Sequence, residues 1–360
     1  MRTDRSIKRH WMLGFWVMFC LVILPGCQDK AAVLDAGEVA ERIQQRYERD
    51  FHLLPMSKQR HYAQRLYRLT GSEAYLEVNQ QYADQVLSRL RQDLDALAED
   101  AAFLDQVVTA ALARYPLRSE RQRQRYHLLS QREDLIFASR LLFRLTQVRY
   151  YGLEAELTPL QWQTARAYLS SRPFQSWVTH PDMLERYTAQ TANWVWFLHE
   201  LEFLDLRSEY VQAFQAHFPL ERDPYLNQTA LRNKLYGLTH IVIAASRYYQ
   251  QEVSAEEFAW VLEAFRALDQ RILREATEDI YTEVGISLRL MGQQDEPLLA
   301  KIEAALIQAF DSEANLIPSP QGSRSLVSGQ HRNVLAILLL KWPEALHPGP
   351  RLATLSSPEP

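Results

Sequence analysis

Glycine is scarce, with 11 residues in a chain of 360, less than half of the roughly 7% usual in soluble proteins. That shortage disfavours a β fold punctuated by glycine turns and a nucleotide-binding βαβ fold, whose phosphate loop needs glycine. Cysteine is scarcer: Cys20 and Cys27 are the two in the chain. With none beyond residue 27, the body of the protein has no disulfide framework, no Cys-His nucleophile and no thiolate zinc site. No G-x-G-x-x-G, P-loop, G-x-S-x-G or H-E-x-x-H occurs, and His199-Glu200, which opens a zincin-like run, meets Phe203 where the second histidine belongs. A strong basic excess is also missing. The formal net charge is −4, so the counterion-releasing patch that nucleic-acid binding requires is not indicated. What is present is a 47% hydrophobic composition, enough for a sizeable core.

The longest apolar run lies at the amino end. Arg2, Arg5, Lys8 and Arg9 form a basic head, and the uncharged stretch from Trp11 to Leu24 follows. A membrane span needs about 20 apolar residues, so this shorter run reads as the h-region of a secretory signal. It ends in Leu24-Pro25-Gly26-Cys27, which resembles the bacterial lipobox, with Pro25 where Ala or Ser is usual. The resemblance implies cleavage before Cys27 and acylation of that cysteine, giving a membrane anchor of more than one acyl chain. Residues 1–26 are then a lipoprotein signal peptide, and their loss takes the net charge from −4 to −7. Gln28 stands where an aspartate would resemble an inner-membrane retention signal, so the expected location is the outer membrane, facing the periplasm.

From about Ala31 to Leu340 the hydrophobic period is helical, with no clear alternating strand and no linker. One helical domain is predicted over 27–342, followed by a disordered, proline-rich tail over 343–360. Thr158-Pro159-Leu160-Gln161 and Ser254-Ala255-Glu256-Glu257 carry helix-start signals, predicting helices from 159 and 255. Phe258, Val261, Leu262, Phe265, Leu268 and Ile272 give the latter one apolar face. Tyr75, Tyr82, Val86, Leu90, Leu94 and Leu97 do the same for a long earlier helix. Around Ile136–Leu145, Trp194–Leu204, Leu235–Ala245, Val284–Leu290 and Val334–Leu340 the apolar residues cover more than one side, as in buried helices.

Some of these helices end alike. Leu66-Tyr67-Arg68-Leu69-Thr70-Gly71 matches Leu142-Phe143-Arg144-Leu145-Thr146-Gln147, and Leu288-Arg289-Leu290-Met291-Gly292 echoes both. With inner helices ending near 71, 147, 205, 250, 292 and 341, the all-α chain resembles an (α/α)-toroid of about six helical hairpins, as in terpenoid-cyclase-like and six-hairpin-glycosidase-like proteins. An irregular α-solenoid is the alternative. The whole layout, with Leu238-Thr239-His240 and Gln330-His331-Arg332-Asn333, also resembles an uncharacterised proteobacterial lipoprotein family carrying a domain of unknown function.

In a toroid, polar side chains at one depth of the inner helices converge on a central cavity. His61, His240, Glu283 and His331 share such a depth and are the candidate acid/base or metal-binding residues, His240, Glu283 and His331 being the metal candidates. Asp279, one turn before Glu283, is a second candidate carboxylate, and Asp134 a third. Each has a structural alternative: His240 as a bonded core histidine, His331 and His61 as helix-start contacts. Tyr187, Trp194 and Trp196 are candidates for a sugar-stacking wall or for core. The basic run Arg118 to Arg125 reads as a solvated helix face or, alternatively, a patch for anionic lipid. The segment from Ser312 to Gln330 is either a lid over the barrel mouth or a surface loop. No cofactor is specified. The leading expectation is a lipoprotein that binds a ligand or partner at the cell envelope; the alternative is a periplasmic glycan-active hydrolase or lyase.

Overall fold

The computed structural model describes residues 34–352; the proposed signal and Cys27 lie outside the described residues. Among those residues the chain is helical, and pairing of extended backbone is confined to an isolated bridge between Asp311 and Leu316. No described helix is long and apolar enough to cross a membrane.

Six inner helices form a ring: Met56–Thr70, Glu133–Tyr151, Thr188–Glu200, Gln228–Ala245, Glu278–Leu290 and Leu326–Leu340. From the second to the sixth, each packs on the next in chain order, and the sixth returns to pack on the first. Between the first and second, Gln64 donates to Gln147 Oε1 at 3.2 Å and to the Tyr151 hydroxyl at 3.3 Å. The circle is thereby closed, as the toroid reading expects and an open solenoid does not allow. Outer helices such as Leu76–Glu99, Pro159–Ser170 and Pro297–Ala309 carry the chain back between inner ones.

The apolar patterning decides which helices are inside. On Leu326–Leu340 every residue from Asn333 to Leu339 is buried, because a helix apolar on several sides leaves water only when surrounded. Two glycines permit close approach within this packing. A Cβ on Gly237 would lie 2.3 Å from the Phe214 ring and 2.5 Å from Thr188, and one on Gly285 would lie 2.6 Å from Leu339, so both helices approach their neighbours more closely than alanine allows.

Helix ends follow the sequence signals in part. The capping box at Thr158 forms as expected, with Gln161 reaching back to the cap. The helix expected from 255 begins instead at Ala259: residues 255–258 form a turn closed by the Ala259 amide on the Glu256 carbonyl, although the Ser254 hydroxyl still accepts from Glu257. Phe258, Val261, Leu262, Phe265, Leu268 and Ile272 are all buried, as the pattern requires. Gln147 does not end its helix. Val148, Tyr150 and Tyr151 pack inward and extend it to Gly152, whose φ of 72° closes the turn.

The segment 343–352 corrects another expectation. It was predicted to be disordered, yet it runs across the carboxyl ends of the inner helices. The Arg68 guanidinium, 1% exposed, donates to the carbonyls of Gly349 and Tyr248, and the Gly349 amide donates to Gln250 Oε1. His347 and Leu352 amides donate to the carbonyls of Arg68 and Tyr151. Proline-rich composition reads as disorder, but these are backbone bonds, invisible in side-chain patterning. Residues 353–360 lie outside the described residues. A chain truncated after Trp342 leaves buried donors and acceptors at Arg68 and Gln250 unpaired, at about 1–3 kcal/mol each. Its urea unfolding midpoint is therefore expected to fall by an amount equivalent to about 2–4 kcal/mol; an unchanged midpoint contradicts a structural role for the segment.

Candidate functional site

Glu283, His331, His61 and Asn193 are each the sixth residue of an inner helix. In a closed ring of like-directed helices that register brings them to one level near the amino ends, where a polar pocket of about 630 Å³ opens. Glu283 is at its floor, 1% exposed. Thr239 donates to Oε2 of this carboxylate at 2.9 Å. The other oxygen, Oε1, faces His331 Nε2 at 3.3 Å and His240 Nε2 at 3.8 Å.

The hydrogen bonds assign the imidazole protons. The Gln330 amide donates to His61 Nδ1 at 3.0 Å, which puts the His61 proton on Nε2. From there it is directed at His331 Nδ1, 3.3 Å away, so the His331 proton sits on Nε2, the nitrogen 3.3 Å from Glu283 Oε1. The result is one continuous chain from Gln330 through two histidines to the carboxylate. His240 is held the other way round: Nδ1 donates to Asn193 Oδ1 at 3.1 Å, leaving Nε2 as an acceptor beside Glu283. Burial pushes the His240 pKa below the usual histidine value, against the opposing pull of Glu283. Burial also holds His61 well below it, helped by the nearby Arg65 charge. Both imidazoles are neutral at pH 7, as this donor-acceptor pattern requires.

Asp279 lies one turn from Glu283 but is engaged elsewhere. It accepts from the Tyr236 hydroxyl at 2.7 Å. Burial alone would raise its pKa; hydrogen bonds from Thr277 and Tyr236 outweigh that and hold it below the ordinary aspartate value. Tyr236 lines the pocket, and Glu283 is the pocket's single carboxylate among the described residues. Asp134 is not part of the site, being exposed and paired with Arg172 at 2.8 Å. Among the described residues no group of three or more His, Cys, Asp or Glu side chains is arranged to hold a metal ion; His331 and His240 stand beside the Glu283 carboxylate, at 3.3 and 3.8 Å from Oε1.

The lid reading of 312–330 does not hold for this pocket, and residues 326–330 open the sixth inner helix. No residue of 312–330 lines the pocket; Asn333 instead ties the root of that segment down, accepting from the Ile317 amide and donating to its carbonyl. Tyr115, Arg121, Gln122 and Arg125 form the outer wall. The basic run predicted as a solvated face therefore turns two of its arginines toward the site. Sequence reading also passed over Asn193, Thr239, Gln330 and Tyr236; for Asn193 the signal was its shared sixth position. Tyr187 and Trp194 line an adjoining pocket of about 450 Å³ that shares Tyr115 and Gln190 with the first. Trp196 does not join them: it packs edge-on against Tyr210.

With this geometry in hand, comparison with known families is informative. A family model described as a domain of unknown function, DUF3541, matches residues 36–358. The chain belongs to the DUF3541 family. No curated protein and no solved structure matched it. The DUF3541 match takes in the whole ring and the segment 343–352 that seals its far end, so both belong to the domain.

Proposed function

We propose that this DUF3541 protein is a general acid-base enzyme that binds a glycan at the barrel mouth and cleaves it, by hydrolysis or elimination: His240 takes a proton from water or from a sugar carbon, Glu283 is the charge partner of the imidazolium, and the imidazolium returns that proton to the glycosidic oxygen as its C–O bond breaks. The observation that carries this reading is the convergence of two imidazoles on one buried carboxylate oxygen at the floor of a solvent-reachable pocket. A neutral His240 whose Nδ1 proton is fixed by Asn193 offers its Nε2 lone pair to a substrate. Glu283 lies 3.8 Å from that nitrogen and stabilises the imidazolium that forms, while His331, backed by His61 and Gln330, fixes the carboxylate. A single carboxylate argues against the two-carboxylate glycosidase arrangement, which needs an acid and a second carboxylate flanking the bond. Tyr187 and Trp194 are buried and stack on each other; Tyr115, which lines both pockets, supplies the aromatic surface for a sugar ring.

The reading is tested by release of reducing ends from a panel of envelope and imported polysaccharides. His240→Gln and Glu283→Gln are expected to lower kcat by about 100-fold or more while leaving the unfolding midpoint near that of the parent. Because the His240 pKa is lowered and the neutral form is the active one, activity should hold from neutral pH to below 6.5 and fall only under that. If the glycan binds without any product, the protein is a binding lipoprotein and the chemistry is overturned.

We further propose that the protein is anchored by acylated Cys27 to the outer membrane on its periplasmic side. The support is the basic head, short apolar run and lipobox-like Leu24-Pro25-Gly26-Cys27. Metabolic labelling with a fatty acid should mark the parent and not Cys27→Ala; equal labelling, or none, contradicts the anchor.

A further inference from the structure

The charge around the mouth is of one sign. Tyr115 lines the site pocket, the adjoining pocket and a third pocket of about 510 Å³, so the three run together along one side of the mouth. Four arginines stand along this run: Arg121 and Arg125 in the first pocket, Arg140 in the second and third, and Arg114 in the third. Among the described residues none of the four has a carboxylate within 4.0 Å. Arg123, on the same helix as Arg121 and Arg125, does have one: it is paired with Glu120 at 2.9 Å. Arg125 is held in place by the Tyr187 ring, 4.8 Å from its guanidinium carbon, and through Nε by the Arg186 carbonyl at 2.8 Å. Arg121 lies one helical turn away, a like charge. Four unpaired cations lining concave surfaces of a protein with net charge −4 lack the counter-charge that such groups ordinarily recruit.

Resting on the glycan reading above, we infer that the ligand is an acidic oligosaccharide, whose carboxylate or sulfate groups are held by Arg121, Arg125, Arg140 and Arg114 while its sugar rings cross Tyr115. The guanidinium fork matches either anion bidentately. A bilayer surface cannot enter pockets recessed between helices.

Binding separates this inference from the chemistry, since Glu283→Gln is used as the receptor and no turnover is needed. Hexamers of galacturonate, a sulfated hexasaccharide, maltohexaose, a single-stranded DNA 12-mer and phosphatidylglycerol vesicles are titrated in parallel. At least one acidic hexasaccharide is expected to bind about 100-fold or more tightly than maltohexaose, and more weakly as salt rises. Arg121→Gln and Arg140→Gln should each weaken it roughly tenfold, and which acidic hexamer binds identifies the anion. Equal or better binding of maltohexaose, DNA or the vesicles overturns the inference, as does unchanged affinity in both arginine variants or no binding of either acidic hexamer. Acidic binding with no product from the parent protein leaves this inference standing and removes the enzyme reading; turnover of a neutral glycan alone does the reverse.

Discussion

A carboxylate taken out of water must find donors, and in this protein the donors come from across a ring. Glu283 is buried, and what satisfies it comes from two other inner helices, Thr239 on the fourth and His331 on the sixth. Behind His331 stands His61 from the first inner helix, and beside Glu283 stands His240, fixed by Asn193 from the third. Five of the six inner helices therefore meet through one polar cluster. Closure of the ring is what adds His61 to this set: the fourth, fifth and sixth helices are neighbours in chain order, and an open stack would leave His331 without His61.

The two ends of the barrel are built for different purposes. At the amino ends of the inner helices the side chains are polar and the space is open, with arginines and tyrosines forming the rim. At the carboxyl ends the interior is filled. Arg65 lies over the Tyr249 ring, Arg68 over Tyr150, and the segment 343–352 bonds to the helix ends from outside. The turn entering Tyr249 is costly, since Arg247, Tyr248 and Tyr249 all have positive φ, from 55° to 69°. The surrounding packing holds it, with Tyr249 only 1% exposed. A sealed base gives a fixed floor, so that the groups at the mouth are positioned by rigid helices rather than by loops.

Much of this was legible in the sequence for a simple reason. Histidines and a glutamate inside otherwise apolar helical runs are conspicuous; the expected common distance to the helix ends does not hold for His240, the thirteenth residue of its helix, whereas His61, Glu283 and His331 share the sixth position of theirs. The fold class followed from helical periodicity and scarce glycine. Other features carry no such mark. A charged run from Arg118 to Arg125 shows alternating character but not which neighbour it faces, so its place at the rim needed the tertiary structure. Asp279 and Glu283 are equivalent by spacing; only the Tyr236 hydroxyl tells them apart. The order of 343–352 depends on main-chain bonds to Arg68, Gln250 and Tyr151, for which proline and glycine give no forewarning. The turn at 255–258 shows that a capping sequence marks where a helix can begin, while packing decides where it does.

The central claim is that His61, His240 and His331 are locked in defined tautomers around Glu283. Long-range proton-nitrogen correlation spectra of the protein labelled with nitrogen-15 in its histidines, recorded from pH 7.5 to 5, test it directly. The account predicts the proton on Nδ1 for His240 and on Nε2 for His61 and His331, with His61 and His240 remaining neutral below pH 6.5. Rapidly exchanging tautomers for these residues, with His61 and His240 titrating near 6.5 as free imidazole side chains do, would contradict it.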